Sequence, residues 1–271
     1  MMILSTLVFI PLYARPSYEN WKAKCNPRFP SPSLVRKEII HTVKGLTVAT
    51  LVPAFTLYAS APSRAYSQGY CGNPYGLSIS GWLLQTVCIF AFSDLVEYIY
   101  HYCGHRYDFW WSIHKHHHHF YNPSPFAVIA DDWPDQFMRT LPMIMLPSLL
   151  PINMDLLFFC FASLFYGYGV YLHSGYESRS ISAHNPIFNT SYHHYHHHAI
   201  STKNKPICTG FFFKIWDQLF GTEDDKEKCS CYVCRPAKDR SFAVWEKTLK
   251  PDYGVLLNVS WWLNTSIDVS E

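Results

Sequence analysis

The chain has little charge. Of its 271 residues, 15% are Asp, Glu, Lys or Arg, against about 25% in an average soluble domain. Because so few charged side chains cannot cover a water-exposed surface, the composition argues against a soluble protein. The net charge of +2 includes no dense basic stripe, which argues against nucleic acid as a partner. Hydrophobic residues make up 49% of the chain and aromatic residues 17%, as expected for a protein that lies in a membrane.

The chain also lacks a secreted disulfide framework. Its nine cysteines are an odd number, spread from Cys25 to Cys234, and this is typical of a reduced, cytosol-facing protein. The segment Cys229-Ser-Cys231-Tyr-Val-Cys234, with Cys208 as a further candidate, offers ligands for zinc. It lacks the two paired Cys-x-x-Cys units of a strong zinc motif, so a flexible surface segment is the preferred interpretation.

Long apolar stretches predict the fold. A spanning helix needs about 20 apolar residues, because the hydrocarbon core is about 30 Å thick. Residues 41–60 and 81–100 each meet this requirement, whereas residues 138–172 are too many for one crossing and are interrupted by prolines. Such a stretch is typical of a helical hairpin. We therefore expect an all-α integral membrane bundle with about four crossings, the last two forming a hairpin.

The remaining segments complete the predicted organisation. Residues 1–40 form an N-terminal cytosolic or interfacial segment, whose apolar residues 1–14 are too few for a full span. Residues 41–271 form a single membrane domain, of which the more polar residues 181–271 are a cytosolic cap. No internal repeat is visible in the sequence.

Charge distribution predicts the orientation. Lys and Arg concentrate before the first span, while the connector at residues 61–80 has only Arg64. By the positive-inside tendency, the N-terminal side is cytosolic. The second span then returns to the cytosol just before His101, and the hairpin returns just before His173. All the histidine-rich segments are therefore expected on the cytosolic face.

Fifteen histidines fall mostly into three tight clusters. A neutral imidazole is the commonest protein ligand for iron, zinc or copper. The convergent imidazoles are too many for one tetrahedral zinc, but they fit two ions that take four or five nitrogens each and keep an open position for oxygen. The candidate ligands are His101, His105, His114, His117, His118, His173, His184, His194, His197 and His198.

Several polar residues near these clusters are expected to support the ligands. At helical spacing, Asp94 and Glu97 share a face with His101 and His105, and their carboxylates would accept hydrogen bonds from imidazole N–H groups. Asp94 lies within an apolar run, where an ionisable group is costly and usually functional. His193 is also expected to contact the ligands, and either His184 or His193 completes the metal shell. Consecutive histidines point in different directions, so His116, His119 and His196 are expected to be supporting or surface groups.

The arrangement resembles the fatty acid hydroxylase superfamily of membrane di-iron enzymes, which includes sterol C-5 desaturases, sterol C-4 methyl oxidases and fatty acid 2-hydroxylases. Three histidine boxes in order match the signature of that family. The nearest similarity is to fungal sterol C-5 desaturase-like proteins, and it covers residues 82–222. Neighbouring segments match too, namely Asn122-Pro-Ser-Pro-Phe126, His173-Ser-Gly-Tyr-Glu177 and Trp216-Asp-Gln-Leu-Phe-Gly-Thr222.

The resemblance implies a location and a chemistry. We expect a multi-pass protein of the endoplasmic reticulum membrane, with two iron ions at an active site that faces the cytosol. The iron would use O2 and electrons from NAD(P)H, passed through a reductase and cytochrome b5, to hydroxylate or desaturate an apolar lipid such as a sterol or terpenoid. A role in fungal secondary metabolism is one option. Alternatives are an aldehyde-deformylating enzyme of the same family and a non-catalytic metal-binding or metal-transport membrane protein.

The sequence departs from the family in two ways. No fused cytochrome b5 domain is visible, so electrons are expected from a separate protein. Fatty acid 2-hydroxylases carry an additional histidine one turn before the position of His173, where this chain has Gly169. We therefore expect His184 to supply the missing ligand.

Overall fold

The protein is built from helices. The computed structural model describes residues 1–60, 67–224 and 229–263; Arg64 and the end of the cap lie outside these residues. Within the described ranges there are only isolated β-bridges and no strands. The α-helices are α1 Met2–Phe9, α2 Tyr18–Trp21, α3 Pro32–Ala59, α4 Ile79–Arg106, α5 Asp108–His114, α6 Trp133–Arg139, α7 Pro142–Leu149, α8 Met154–Phe159, α9 Tyr166–His173, α10 Ser191–Ile200, α11 Ile215–Phe220, α12 Phe242–Lys247 and α13 Val259–Leu263.

Shorter turns connect or extend these helices. A π-helical turn at Ile10–Ala14 extends α1, and another at Cys160–Phe165 joins α8 to α9. The 3-10 turns are His117–His119, Ala127–Ile129, Ala237–Arg240 and Tyr253–Leu257.

Three helices in the described part of the chain are long and apolar enough to cross a membrane: Pro32–Ala59, Ile79–Arg106 and Met154–His173. Side-chain caps begin each of them, because the hydroxyl of Ser31, the hydroxyl of Ser78 and the amide oxygen of Asn153 accept a backbone N–H of the first turn. The prediction of an all-α membrane protein is confirmed.

The predicted hairpin is formed, but its first arm is broken into α6 and α7, of seven and eight residues. Arg139 Nη1 lies 3.4 Å from Glu97 Oε1 in α4, while the backbone N–H of Asn153 donates to Gln85 Oε1 at 2.9 Å. Twelve residues of α4 separate Gln85 from Glu97, about 18 Å of helix. The arm therefore runs antiparallel to α4, although neither of its helices is long enough to span alone.

The apolar core lies where these segments meet. Val52 of α3, Ile89 of α4, Leu146 of α7 and Leu157 of α8 are buried together with the sulfur-containing and aromatic side chains around them. Burial of each such side chain contributes about 1.5–3 kcal/mol in water, although in lipid the contribution comes from packing rather than from water exclusion.

The N-terminal segment is not separate from the bundle. The helix that was expected from residue 41 begins at Pro32, so the boundary placed at residue 40 falls inside α3. The hydroxyl of Tyr13 donates to the Ser174 carbonyl at 2.7 Å, and Glu38 accepts the backbone N–H of Ser124 at 3.0 Å. These contacts attach the first 40 residues to the end of the bundle that carries His101 and His173, here called the histidine end.

Gly45 provides a test of the packing of α3. A Cβ at this position would lie 2.4 Å from the carbonyl oxygen of Ile129, whereas a Cβ at Gly167 in α9 would meet only Leu4 Cδ2 at 3.9 Å. We expect Gly45→Ala to lower the free energy of unfolding by about 1–3 kcal/mol through overpacking. The same change at Gly167 should be neutral or stabilise by up to about 1 kcal/mol. Thermal unfolding in detergent measures both, and equal stability of the two variants would contradict the close approach of α3.

Candidate metal centre

Nine imidazoles meet at the histidine end of the bundle. They form two groups, and within each group one nitrogen of every ring lies within 4.8 Å of the others. The first group has five rings and the second has four. The five-histidine group is His101, His105, His114, His118 and His197, and the four-histidine group is His117, His173, His194 and His198.

Helix geometry explains how the rings are shared between the groups. His101 and His105 are one turn apart on α4, so both reach the five-histidine group. Neighbouring residues on a helix point about 100° apart. As a result, the consecutive pairs His117–His118 and His197–His198 each send one ring to each group. His118 therefore joins His114 in the five-histidine group, whereas His117 joins the four-histidine group.

Backbone carbonyls fix the orientation of four of these rings. The Nδ1 atoms of His101 and His105 lie 2.8 Å from the Thr209 oxygen and 3.2 Å from the Thr202 oxygen. Those of His173 and His197 lie 2.8 Å from the Gly169 oxygen and 2.7 Å from the Ile207 oxygen. Because a carbonyl oxygen only accepts hydrogen bonds, each Nδ1 carries the proton. The Nε2 lone pair of each ring then points into its group.

Two of the Nε2 atoms face each other with no proton available to either of them. His105 Nε2 and His197 Nε2 are 3.3 Å apart, and both are acceptors by the preceding argument, so they cannot bond to each other. His173 Nε2 lies 2.9 Å from His194 Nε2. Two nitrogens that each bind one ion at about 2.1 Å are about 3.0–3.4 Å apart. The spacing of the rings fits a shared metal ion.

Two carboxylates that were not among the predicted site residues hold two further rings. Asp135 Oδ2 lies 3.0 Å from His114 Nδ1, and Asp131 Oδ1 lies 2.6 Å from His117 Nδ1. Both carboxylates are fully buried. Carboxylate partners of this kind orient metal-binding imidazoles and raise their basicity. A signal was present, because Asp131, Asp135 and Arg139 recur at a spacing of four directly after the second histidine cluster.

Arg139 links the carboxylates into one buried network. Its guanidinium lies 3.5 Å from Asp135, 3.6 Å from Asp131 and 3.4 Å from Glu97. The side chain is 9% exposed, so these interactions are little screened by water. Glu97, which was expected to bind an imidazole, therefore pairs with Arg139 instead. Three carboxylates surround one guanidinium, which leaves this end of the bundle negative when all of them are ionised.

Burial sets the protonation of the groups outside the spans. It raises the pKa of Asp131 well above the usual range. Burial also favours neutral imidazole, which is the form that binds metals, at neutral pH. Burial is the largest cause of a strongly lowered pKa at His117, His118, His194, His197 and His198.

Asp94 was expected to accept an imidazole N–H, and the structure gives it another role. Its carboxylate accepts the backbone N–H groups of Phe212 and Phe213, at 2.7 and 3.1 Å, and the indole N–H of Trp216 at 2.8 Å. These bonds fix the loop that carries the Thr209 carbonyl, the partner of His101. The buried carboxylate therefore supports the site through the loop, and it is satisfied by main-chain donors that no sequence spacing reveals.

The expectation that His184 completes the imidazole shell is wrong. His184 lies with Cys229, Cys231 and Cys234, because the loop before α10 directs it toward the thiols. His193 belongs to neither imidazole group, since its Nδ1 accepts the backbone N–H of Thr190 in the capping box of α10. Other histidines of the runs point outward: His119 is exposed, and His196 pairs with Asp224 at 2.8 Å.

Gly169 packs closely against residues that line a small cavity. A cavity of about 50 Å³ is lined by Glu97, Val128, Arg139, Tyr166 and Phe211, among others. A Cβ at position 169 would lie 2.4 Å from Val128 Cγ2 and 3.4 Å from Phe211 Cζ. A side chain at position 169 therefore has no room, and its neighbours Val128 and Phe211 line the cavity instead.

Comparison with known proteins identifies the family. The sequence profile described as fatty acid hydroxylase matches residues 86–222, a stretch that contains all nine grouped histidines. Lathosterol oxidase of Rattus norvegicus is 28% identical over 191 residues, which are 69% of this chain and 60% of the rat protein. The Delta(7)-sterol 5(6)-desaturase of Leptosphaeria maculans is 31% identical over 199 residues, which are 72% of this chain and 52% of that protein.

The chain thus matches between half and three fifths of the length of these relatives. No solved structure matches it significantly. The profile match, the relatives and the histidine geometry agree with one another. The chain belongs to the fatty acid hydroxylase family, and its sterol-oxidising relatives are members with which it shares 28–31% identity.

Proposed function

We propose that the protein is a membrane oxidoreductase that uses two iron ions and O2 to desaturate or hydroxylate an apolar lipid, with a sterol as the favoured substrate class. One observation carries the metal assignment: His105 Nε2 and His197 Nε2 face each other at 3.3 Å with their protons fixed elsewhere. A cation between them removes the repulsion of the two lone pairs. In addition, Nε2 of His101, His114 and His117 is buried without a hydrogen-bond partner, which is costly unless a metal binds it.

The donor set favours iron. Imidazole nitrogens suit iron, zinc and copper, and five rings exceed what a tetrahedral zinc site takes. Bound iron would supply the activation of O2 for removal of hydrogen from an unactivated C–H bond. In desaturation the substrate loses two hydrogens, and O2 leaves as two waters after receiving two further electrons and protons from a donor. In hydroxylation the donor again supplies two electrons and two protons, one oxygen atom stays on the substrate and the other leaves as water.

The residues of this chain supply orientation and exclude water. Thr202, Ile207 and Thr209 hold three rings of the five-histidine group through their carbonyls. Asp135 holds His114 of the five-histidine group, and Asp131 holds His117 of the four-histidine group. The cavity lies one to two turns of α4 deeper in the bundle than His101, since Ser93 and Glu97 line it. A C–H bond placed there would lie beside the centre, away from the aqueous face.

The substrate class rests on the relatives and on the cavity. The names of the relatives, lathosterol oxidase and Delta(7)-sterol 5(6)-desaturase, favour a sterol. The cavity of about 50 Å³ is far smaller than the roughly 300–1,000 Å³ of ligand pockets. We therefore expect a sterol to enter between the spans by displacing aromatic side chains such as Phe165 and Tyr166, which line the cavity.

The proposed electron donors rest on the resemblance to sterol desaturases. Cytochrome b5 and its reductase would deliver electrons from NAD(P)H at the histidine end. The basic segment before α3 also lies at this end, since Glu38 of α3 binds Ser124. Positive residues favour the cytosolic side of a membrane. We therefore place the centre on the cytosolic face of the endoplasmic reticulum membrane.

Replacement of single histidines should distinguish metal ligands from neighbouring histidines that bind no metal. We expect His118→Ala to lose most of the bound iron and to abolish turnover, because it removes a nitrogen of the five-histidine group. The matched control is His119→Ala, which changes an adjacent, exposed ring outside both groups and should keep both properties. Iron quantification on purified protein, with turnover measured in parallel, decides the matter. Equal iron content in the two variants would refute the ligand assignment.

Asp135 is expected to act as a positioning residue. Asp135→Asn keeps the shape of the side chain but removes the charge that holds His114, so iron affinity should fall about 10–100-fold. Competition with a chelator measures this affinity on the folded fraction of each variant, because the change also removes a buried contact to Arg139. Asp132→Asn is the control, since Asp132 is 38% exposed and lies 3.7 Å from His116, outside both groups. An equal loss of affinity in both variants would contradict the proposed role.

Product analysis tests the reaction. Purified protein with NADH, cytochrome b5, its reductase and a Delta(7)-sterol should consume O2 and give a product that retains every carbon. A loss of two hydrogens indicates desaturation, and a gain of one oxygen indicates hydroxylation. Loss of one carbon from an aldehyde substrate would instead identify a deformylating enzyme. Iron-loaded protein that turns over neither sterols nor other apolar lipids would overturn the proposed function.

A further inference from the structure

A third cluster of metal-binding side chains lies in the cap, apart from the two imidazole groups. His184 comes from the loop before α10, and Cys229, Cys231 and Cys234 come from the segment before α12. The four ligand atoms all lie within 4.8 Å of one another. From His184 Nε2, the sulfurs of Cys234, Cys231 and Cys229 are 3.0, 3.4 and 4.0 Å away.

These distances fit a tetrahedral site. With Zn–S bonds of about 2.3 Å and Zn–N bonds of about 2.0–2.1 Å, a nitrogen and a sulfur on one zinc ion are about 3.6 Å apart. The observed nitrogen–sulfur distances lie on both sides of that value. Three thiolates and one imidazole form a soft donor set that is typical of structural zinc. The cysteines are brought together from a sequence that lacks two paired Cys-x-x-Cys units, and the fourth ligand lies 45 residues before Cys229.

We propose that His184, Cys229, Cys231 and Cys234 bind one structural Zn²⁺. Four protein ligands complete a tetrahedral shell and leave no open position, so this site holds the cap together and takes no part in the oxidation. Cys208, the fourth zinc ligand considered from the sequence, is buried elsewhere and is not in the cluster. The interpretation of residues 229–234 as a flexible surface segment is replaced by that of a metal-bound one.

The contacts around the cluster show what the zinc would fasten. The backbone N–H of Tyr232 donates to Glu177 Oε2 at 2.8 Å, and Arg235 pairs with Glu177. The backbone N–H of Ser230 donates to the hydroxyl of Tyr192 at 3.0 Å. Tyr192 lies in the first turn of α10, the helix that carries His194, His197 and His198. The zinc would therefore tie residues 229–234 of the cap to the start of α10, the helix that serves both imidazole groups.

A disulfide is the competing use of these thiols. All nine cysteines are free in the structure, and a disulfide would consume two of the three sulfurs that surround His184. A cytosol-facing cap also lies in a reducing compartment, where structural disulfides are rare. Geometry and compartment both favour the metal.

Metal analysis of the purified full-length protein tests the site. We expect about one zinc ion per chain in addition to iron, and most of that zinc should be lost from the Cys234→Ser and His184→Ala variants while iron is retained. The matched control for the thiol is Cys71→Ser, an exposed cysteine outside the cluster, which should keep its zinc. The control for the imidazole is His118→Ala, which should lose iron and keep zinc.

The two metals make this test independent of the proposed function. Loss of zinc with iron retained supports the cap site whatever reaction the protein catalyses. Zinc that stays bound in both the Cys234→Ser and the His184→Ala variants would overturn it. So would a parent protein that contains no zinc, a disulfide between cluster cysteines found by alkylation and mass spectrometry, or iron in place of zinc at the cluster.

A spectroscopic measurement on the parent protein tests the site even where the variants fail to fold. Parent protein grown with Co²⁺ in place of zinc should show the visible absorption of tetrahedral cobalt and the sulfur-to-cobalt charge-transfer band of thiolate ligands. Adding Zn²⁺ should remove both signals. Octahedral, thiolate-free cobalt spectra would contradict a site built from three cysteines.

Discussion

The structure depends on the burial of neutral imidazoles at one end of a helical bundle. A buried imidazole needs a partner at each nitrogen, and here one nitrogen faces the other rings. For six of the nine rings the second nitrogen faces a carbonyl or a carboxylate. The loop at residues 201–213 meets this need for His101, His105 and His197, while α6 and the residues just before it meet it for His114 and His117. The irregular backbone around the centre is thus the source of its acceptors.

The charged side chains around the rings compensate for what the neutral rings lack. Nitrogen ligands carry no negative charge, so the centre itself cannot neutralise cations. The carboxylates of Glu97, Asp131 and Asp135 lie around Arg139, and a cation among the rings would favour their ionised forms. Removal of Arg139 would leave buried carboxylates without a partner, which is strongly destabilising. The guanidinium therefore keeps an acidic network buried close to the rings.

Sequence patterns predicted the elements whose cause is local. Apolar length predicted α4 and the hairpin, and histidine spacing predicted the nine rings that meet. The errors arose where partners come from distant chain segments. Asp94 and Glu97 share a face with His101, yet Asp94 binds the backbone of residues 212–213 and Glu97 binds Arg139. His184 was assigned by counting ligands, and counting cannot show that three thiols from residues 229–234 lie beside it.

The division of histidines between two kinds of site has a chemical reason. Soft thiolates bind zinc strongly, so a cysteine among the nine rings would favour zinc over iron. The all-nitrogen groups contain no thiol, and the thiols of the cap cluster lie with a single imidazole. A metal-transport protein would instead need ligands along a path through the bilayer. Here the grouped rings of the described residues lie at one end of the spans, which fits a fixed metal centre.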